Sequence, residues 1–348
     1  MRKAAAARRS ALALVLALVV IGVGFGLRTA ADAGSPPPSP AALLGPDYVD
    51  ITTVPGGHAD PDPVPGAATG TYTWDCGRNA NGHRNTANVV VVPGMPGPPH
   101  HVHDYVGNLS TDVDSTVESL VGGDTTCANG DRSTYYWPVL RTLPDGHGEH
   151  PDPATPTTGQ DTKAGAPVEH LGEIQLPVSF TLTFYGNPRT PVVPMPSLLR
   201  ATMGDAVAIT NGGARAQATW TCSDTPDRRT TRYPVCGPGQ QIVRIFDFPS
   251  CWDGRRLDSA DHRQHLVFPV AGGGCPVATF AVPRLRLVAS YDLPPGTRYQ
   301  IDAFGGQHNS PLTDHAFFVN LFPTSLMAQV VRCLNAGEVC DDKDATVR

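Results

Sequence analysis

The chain has 348 residues, 40% hydrophobic and only 17% charged, with 36 glycines and 35 prolines. That length suits one large domain or two ordinary ones, and so much glycine and proline predicts many turns and few long helices. The formal charge is −6 and no basic block occurs beyond the extreme N-terminus, which excludes nucleic acid as an expected partner.

Arg2, Lys3, Arg8 and Arg9 open the chain, an uncharged apolar run follows from Ala11 to Leu27, and Ala31-Asp32-Ala33 comes next. This is the order of an export signal with a small-x-small cleavage site. Residues 1–33 are expected to be a signal peptide. The alternative is a retained anchor, because 17 apolar residues lie at the short end of a membrane span. The expected location is secreted or extracellular, with membrane contact only through an uncleaved leader. Residues 34–46 are rich in Ser, Pro and Ala and predict a semi-rigid linker. Residues 47–348 are expected to form a single β-rich domain, since no repeat or internal boundary stands out.

Asp47 to Ile51 starts the folded part. Thr71–Trp74 and Asn88–Val92 read as strands, the latter leading through a Pro/Gly turn into a histidine cluster. Ser115-Thr116-Val117-Glu118 matches a capping box and predicts a short helix to Leu120. Pro144 to Gly165 is polar and broken by prolines, so a long exposed loop is expected. Val178, Phe180, Leu182 and Phe184 alternate with polar residues, the period of a half-buried strand. Further strands are expected at residues 206–209, 217–221, 241–248, 285–291 and 299–303. A helical pattern comes last: Thr313 or Asp314 caps residues 316–321, Pro323 interrupts, and Ser325 caps residues 326–334. Short strands separated by turns predict a mainly β fold. We expect one antiparallel β-sandwich or jelly-roll-like domain with long loops and short helices.

All eight cysteines lie beyond the leader. An even count in an exported chain predicts disulfides, and the absence of Cys-x-x-Cys argues against a zinc ribbon or a thioredoxin site. Sequence alone does not choose the pairing. The expectation is that neighbours pair: Cys76 with Cys127, Cys222 with Cys236, Cys251 with Cys275, and Cys333 with Cys340.

Four islands carry the chemistry. Pro99-His100-His101-Val102-His103-Asp104-Tyr105 holds three of the 12 histidines within four residues. On an extended backbone His101 and His103 share one face, and two imidazoles on one face can hold a metal with a third ligand from elsewhere. Phe248 to His265 gathers Trp252, Asp253, Asp258, Asp261, His262 and His265 around Cys251. Thr313-Asp314-His315 is the third. Cys127 to Trp137 is the fourth, and its Asp131, Tyr136 and Trp137 suit a scaffold or a sugar platform. A lone loop histidine is usually a hydrogen-bonded structural group, and Asp beside Gly is usually a turn former. The paired imidazoles are harder to explain as packing. Gly-x-Ser-x-Gly, His-Glu-x-x-His, the P-loop and the dinucleotide fingerprint are missing from the sequence.

At these islands the chain resembles a family catalogued as domain of unknown function nineteen-ninety-six. The resemblance rests on Pro93-Gly94 with His101 to Asn108, Thr125-Thr126-Cys127, Ser133 to Trp137, Phe248 to Gly254, Leu257-Asp258-Ser259, Asp261-His262-Arg263 and Thr313-Asp314-His315. They follow in order through nearly the whole domain. The Gly/Ala-rich leader and the His-His-x-His-Asp form resemble the actinobacterial branch. Many relatives have Ser-His-x-His where this chain has His100-His101-Val102-His103, so His100 departs from the pattern. The resemblance implies secretion and one β-rich domain, and it supplies no activity.

The expected function is therefore argued from the residues: an extracellular enzyme acting on polysaccharide or another cell-envelope polymer. Its expected centre is His101, His103 and Asp104 with Asp261, His262, Asp314 and His315, one histidine serving as general base. In a metal-assisted version His101, His103 and one of His262 or His315 hold one divalent transition metal, with water in the open position. Tyr105, Tyr136, Trp137, Trp252, Asp253 and Asp258 are the expected substrate contacts. The alternative is a non-catalytic wall- or glycan-binding module, with those aromatics as its platform.

Overall fold

The computed structural model describes residues 41, 44–94, 101–143 and 171–343. The expected signal peptide, His100 and the expected loop at 144–165 lie outside these residues. The described residues fall in one compact unit running from Pro40 onward. Its strands and helices, in order, are β1 (Tyr48–Asp50), β2 (Thr71–Trp74), β3 (Arg84–Asn85), β4 (His103–Gly107), α1 (Val117–Gly122), β5 (Thr134–Pro138), β6 (Leu140–Thr142), β7 (Glu173–Gln175), β8 (Ser179–Tyr185) and β9 (Arg200–Gly204). There follow β10 (Trp220–Cys222), β11 (Tyr233–Val235), β12 (Ile242–Asp247), β13 (Cys251–Trp252), β14 (Leu266–Val267), β15 (Phe280–Ala281), β16 (Arg284–Tyr291), β17 (Tyr299–Ile301), β18 (His315–Val319), α2 (Thr324–Ala336) and β19 (Val339–Asp341).

Two sheets carry the core. One runs β10-β12-β16-β8-β2-β19 and is antiparallel except where β19 joins β2. The other runs β3-β4-β5-β18-β9 and is antiparallel throughout. Side chains alternate along each strand, so each sheet has an inner and an outer face. Phe180, Leu182 and Phe184 of β8 and Leu285 and Leu287 of β16 join Tyr135, Trp137, Ala201, Met203 and Phe318 of the second sheet in one buried cluster. Trp137 stacks on Phe180 with ring centroids 4.2 Å apart, which fixes the two sheets face to face. The architecture is the expected mainly β sandwich.

Helices are few, as the composition predicted. α1 starts one residue later than the sequence reading: Thr116 is its cap, and Ser119 completes the capping box. α2 begins at Thr324 and ends at Ala336, capped by Gly337, whose left-handed φ of 73° lets its N–H reach the Cys333 and Leu334 carbonyls.

Three expected elements differ. Residues 88–92 form a turn, because the Asn88 side chain accepts from the Val90 and Val91 N–H groups. Residues 206–209 are also a turn, pinned by Asp205 Oδ1 on the Val207 N–H, and the strand lies upstream as β9. The expected helix at 316–321 is strand β18. It is apolar on both faces, so its periodicity could not separate strand from helix, and the ladders offered by β5 and β9 decide.

The disulfides pair as neighbours: Cys76–Cys127, Cys222–Cys236, Cys251–Cys275 and Cys333–Cys340, with no free cysteine. Such bonds need an oxidising environment. No described helix is long and apolar enough to cross a membrane. Thiol titration of denatured, unreduced protein should therefore find no reactive cysteine, and two or more per chain would contradict this pairing.

Candidate metal centre

The site lies on the outer face of the five-stranded sheet. Alternation along β4 puts His103 and Tyr105 outward and Asp104 and Val106 inward. Along β18, His315, Phe317 and Val319 face outward. Val89 and Val90 close over Tyr105, Tyr136, Phe317 and Val319 in a small separate cluster, so this outer face is itself dry. His101 reaches the same side because the chain before β4 stays extended: Val139 donates to the Val102 carbonyl at 3.0 Å, and Val102 donates to Asp302 Oδ2 at 3.1 Å. Arg141 grips Asp302 with two hydrogen bonds, at 2.7 and 3.2 Å.

Three imidazoles converge here. His101, His103 and His315 are all buried, and one ring nitrogen from each lies within 4.8 Å of the others. Two further groupings of this kind among the described residues contain disulfide-bonded cysteines, whose sulfurs are already committed. His315 Nδ1 lies 2.8 Å from the Thr313 carbonyl. A carbonyl only accepts, so Nδ1 carries the proton and Nε2 presents its lone pair. That Nε2 is 3.2 Å from His101 Nε2. Two imidazole nitrogens on one tetrahedral zinc, bonded at about 2.05 Å, would lie about 3.3 Å apart. Neither ring nitrogen of His103 finds a hydrogen-bond partner among the described residues. A buried imidazole without a partner costs free energy unless something binds it.

Gly204 makes room for this arrangement. It pairs with His315 across β9 and β18, and a Cβ there would sit 2.2 Å from the Asp314 carbonyl oxygen and 2.9 Å from His315 Cβ. Its φ of 77° is also one that side chains resist.

Burial sets the electrostatics. It drives the His103 imidazole well below its ordinary range, helped by the neighbouring His315, and pulls His315 down to about 4. Both rings are therefore neutral at pH 7, the form that ligates. For the metal-free protein the sign is clear. An unfolded imidazole takes a proton near 6.5 while the folded His315 refuses it until about 4. Stability is thus fully present above 6.5 and is lost as pH falls toward 4, by about 3 kcal/mol for this group. Urea melts at several pH values should show a shallower acid loss in His315→Gln than in the wild type; identical slopes would contradict this.

A cavity of about 320 Å³ opens beside the cluster, with His315, Thr202, Phe304, Asp261, His262 and Arg263 among its lining residues. His262 thus meets His315 in one cavity. It is held there in a left-handed conformation, φ 54°, with Nδ1 at 2.9 and 3.0 Å from the two Asp258 oxygens. Asp261 shapes the loop by accepting from Ser259, Arg263 and Gln264, contacts that keep its carboxyl below the usual range although burial opposes them. Thr202, Phe304 and Arg215 also line the cavity. They were missed in sequence, although Thr202 stands two residues before Gly204 on an alternating strand.

Several expected site residues lie elsewhere. Asp104 faces inward, bonded to Arg84 Nε at 2.6 Å and Asn79 Nδ2 at 2.7 Å. Asp314 is buried against Arg244, with contacts of 2.6 and 3.1 Å. Both are structural partners of arginine, not members of the histidine cluster. Tyr105, Tyr136 and Trp137 are at most 1% exposed, so they cannot form a platform. Tyr105 and Tyr136 stack on each other under the site, and Trp137 belongs to the core. Trp252 is half-buried and donates to the Arg256 carbonyl, and Asp253 caps the same turn through Arg255 and Arg256. His265 is fully satisfied by Ser259 and the Arg200 carbonyl.

Residues 89–311, more than half of the chain, match the family described as Domain of unknown function (DUF1996). The chain belongs to this family. No curated protein and no solved structure matches it. The DUF1996 match takes in His101, His103, Asp258 and His262 and ends just before β18, which brings His315.

Proposed function

We propose that this chain is an exported enzyme acting on polysaccharide or another envelope polymer through one divalent transition metal held by His101, His103 and His315. The observation that carries the reading is the convergence of three buried imidazoles, with no hydrogen-bond partner for His103 among the described residues, beside a cavity that His315 lines. A metal bound by three histidines with an open position supplies a Lewis acid and an activated water. His262 is the general base: Asp258 takes the Nδ1 proton in a hydrogen bond and leaves the Nε2 lone pair for the cavity. Thr202 Oγ1, buried and without a hydrogen-bond partner among the described residues, is an orienting contact for substrate. Arg263 ties the His262 loop to β9 by donating to the Gly204 carbonyl at 2.7 Å. The leader-like N-terminus and the four disulfides support export, and the cavity is large enough for a sugar unit.

Metal analysis of the purified chain by mass spectrometry tests the centre, after stripping with chelator and reloading with zinc, manganese, cobalt, nickel or copper. About one equivalent of one ion per chain is expected. Failure to retain any of them at micromolar concentration would remove the basis for the proposal. Release of reducing ends from a polysaccharide panel, lost on chelation and restored by the ion, tests the activity.

A further inference from the structure

We propose a second site, on the outer face of the six-stranded sheet: a groove in which Arg229 and Arg284 bind the carboxylates of an acidic polysaccharide. It stands independently of the metal centre, which lies on the outer face of the other sheet. Alternation puts Leu285 and Leu287 of β16 in the core and Arg284 and Arg286 outside. Tyr185 of β8 and Asp247 of β12 stand beside them through the strand register. Two cavities, of about 470 and 690 Å³, adjoin there, and Asp60 and Arg284 line both. The result is one elongated depression rather than a closed pocket for a small molecule.

Three guanidinium groups share two carboxylates. Arg286 is satisfied, bonding both oxygens of Asp247 at 2.7 and 2.9 Å. Arg284 reaches the two oxygens of Asp60 at 3.3 Å each, and Asp60 is 45% exposed on a segment without regular structure. Among the described residues Arg229 is left with a 3.8 Å approach to Asp247 and a 3.5 Å bond to the Pro226 carbonyl, although only 18% of its side chain is exposed. A largely desolvated guanidinium short of an anion is a binding site for one. Tyr185 lies under Arg284 and Arg286 at 5.1 and 5.0 Å and holds them in place.

The geometry selects a carboxylate. The chain's own Asp60 already spans the Arg284 fork in the two-point manner a uronate would use, and its long bonds make it exchangeable. Beyond Arg284 the groove is walled by Pro61, Pro188 and Pro269, flat apolar surfaces suited to the C–H faces of sugar rings. A polymer with carboxylates at regular intervals can meet Arg229 and Arg284 together and lie along these prolines.

Calorimetric binding of polygalacturonate to the full chain at low salt tests this. Fully methyl-esterified polymer and inorganic polyphosphate serve as controls, beside Arg229→Gln and Arg284→Gln. The proposal expects polygalacturonate to bind, the ester and the polyphosphate to bind at least about tenfold more weakly, and each variant to lose about tenfold or more. His103→Ala should bind polygalacturonate as the wild type does, which separates this groove from the metal centre. The ester and polyphosphate comparisons use unaltered protein, so they decide even where a variant folds poorly. No binding to polygalacturonate, equal binding of the ester, tighter binding of polyphosphate, or undiminished binding by well-folded variants would each overturn the proposal.

Discussion

His103→Ala is expected to lower divalent-metal affinity by more than about 100-fold while leaving the fold standing. Substituting even an outer partner of a metal ligand commonly costs about 10–100-fold, and this change removes a ligand itself. The effect on stability should be small for a specific reason. The His103 ring is buried with neither nitrogen hydrogen-bonded among the described residues, so alanine removes an unfavourable desolvated group along with its packing against Tyr136 and Phe317. His265→Ala is the opposite control. That imidazole is equally buried but bonded on both sides, to Ser259 at 3.0 Å and the Arg200 carbonyl at 2.7 Å. It should keep the metal and lose stability. Isothermal titration with zinc and a thermal melt on both variants read the contrast, and a His103→Ala protein that still binds zinc like the wild type would remove that residue from the centre.

Asp314→Ala should destabilise the protein by about 3–5 kcal/mol, because it strands a buried charge. Arg244 is fully buried. Its Nε and Nη2 bond Asp314, and its Nη1 bonds the Pro138 carbonyl and the Tyr291 hydroxyl. Trp220 and Phe246 pack on it. Without the carboxylate, Arg244 keeps only the more distant influence of Asp104, which is already bonded to Arg84 and Asn79, and a fall of about 10 °C in melting temperature follows for a domain of this size. The sequence invites a catalytic role for Asp314 beside His315. A variant that melted like the wild type and lost only activity would restore that role.

Short-range physics was legible in the sequence. The cysteines pair with their neighbours along the chain. The alternation at 178–184 and 285–291 is a property of consecutive side chains, and so is the shared face of His101 and His103. The mainly β class and the C-terminal helix needed no more than local pattern.

The tertiary structure decided which face of each strand meets the core and which distant group answers each charge. Tyr105 and Trp137 look alike in sequence, yet one lies outward under the histidines and the other inward against Phe180, because the six-stranded sheet covers one face of those strands and Val89 and Val90 close over the other. Asp104 and Asp314 each stand beside a histidine in the chain. Arg84 and Arg244 claim them instead, because a buried carboxylate is held by the nearest cation in space and not in sequence. His315 joins His101 from 214 positions away only because β18 is inserted between β5 and β9, a pairing set by long-range strand ladders that no local window contains.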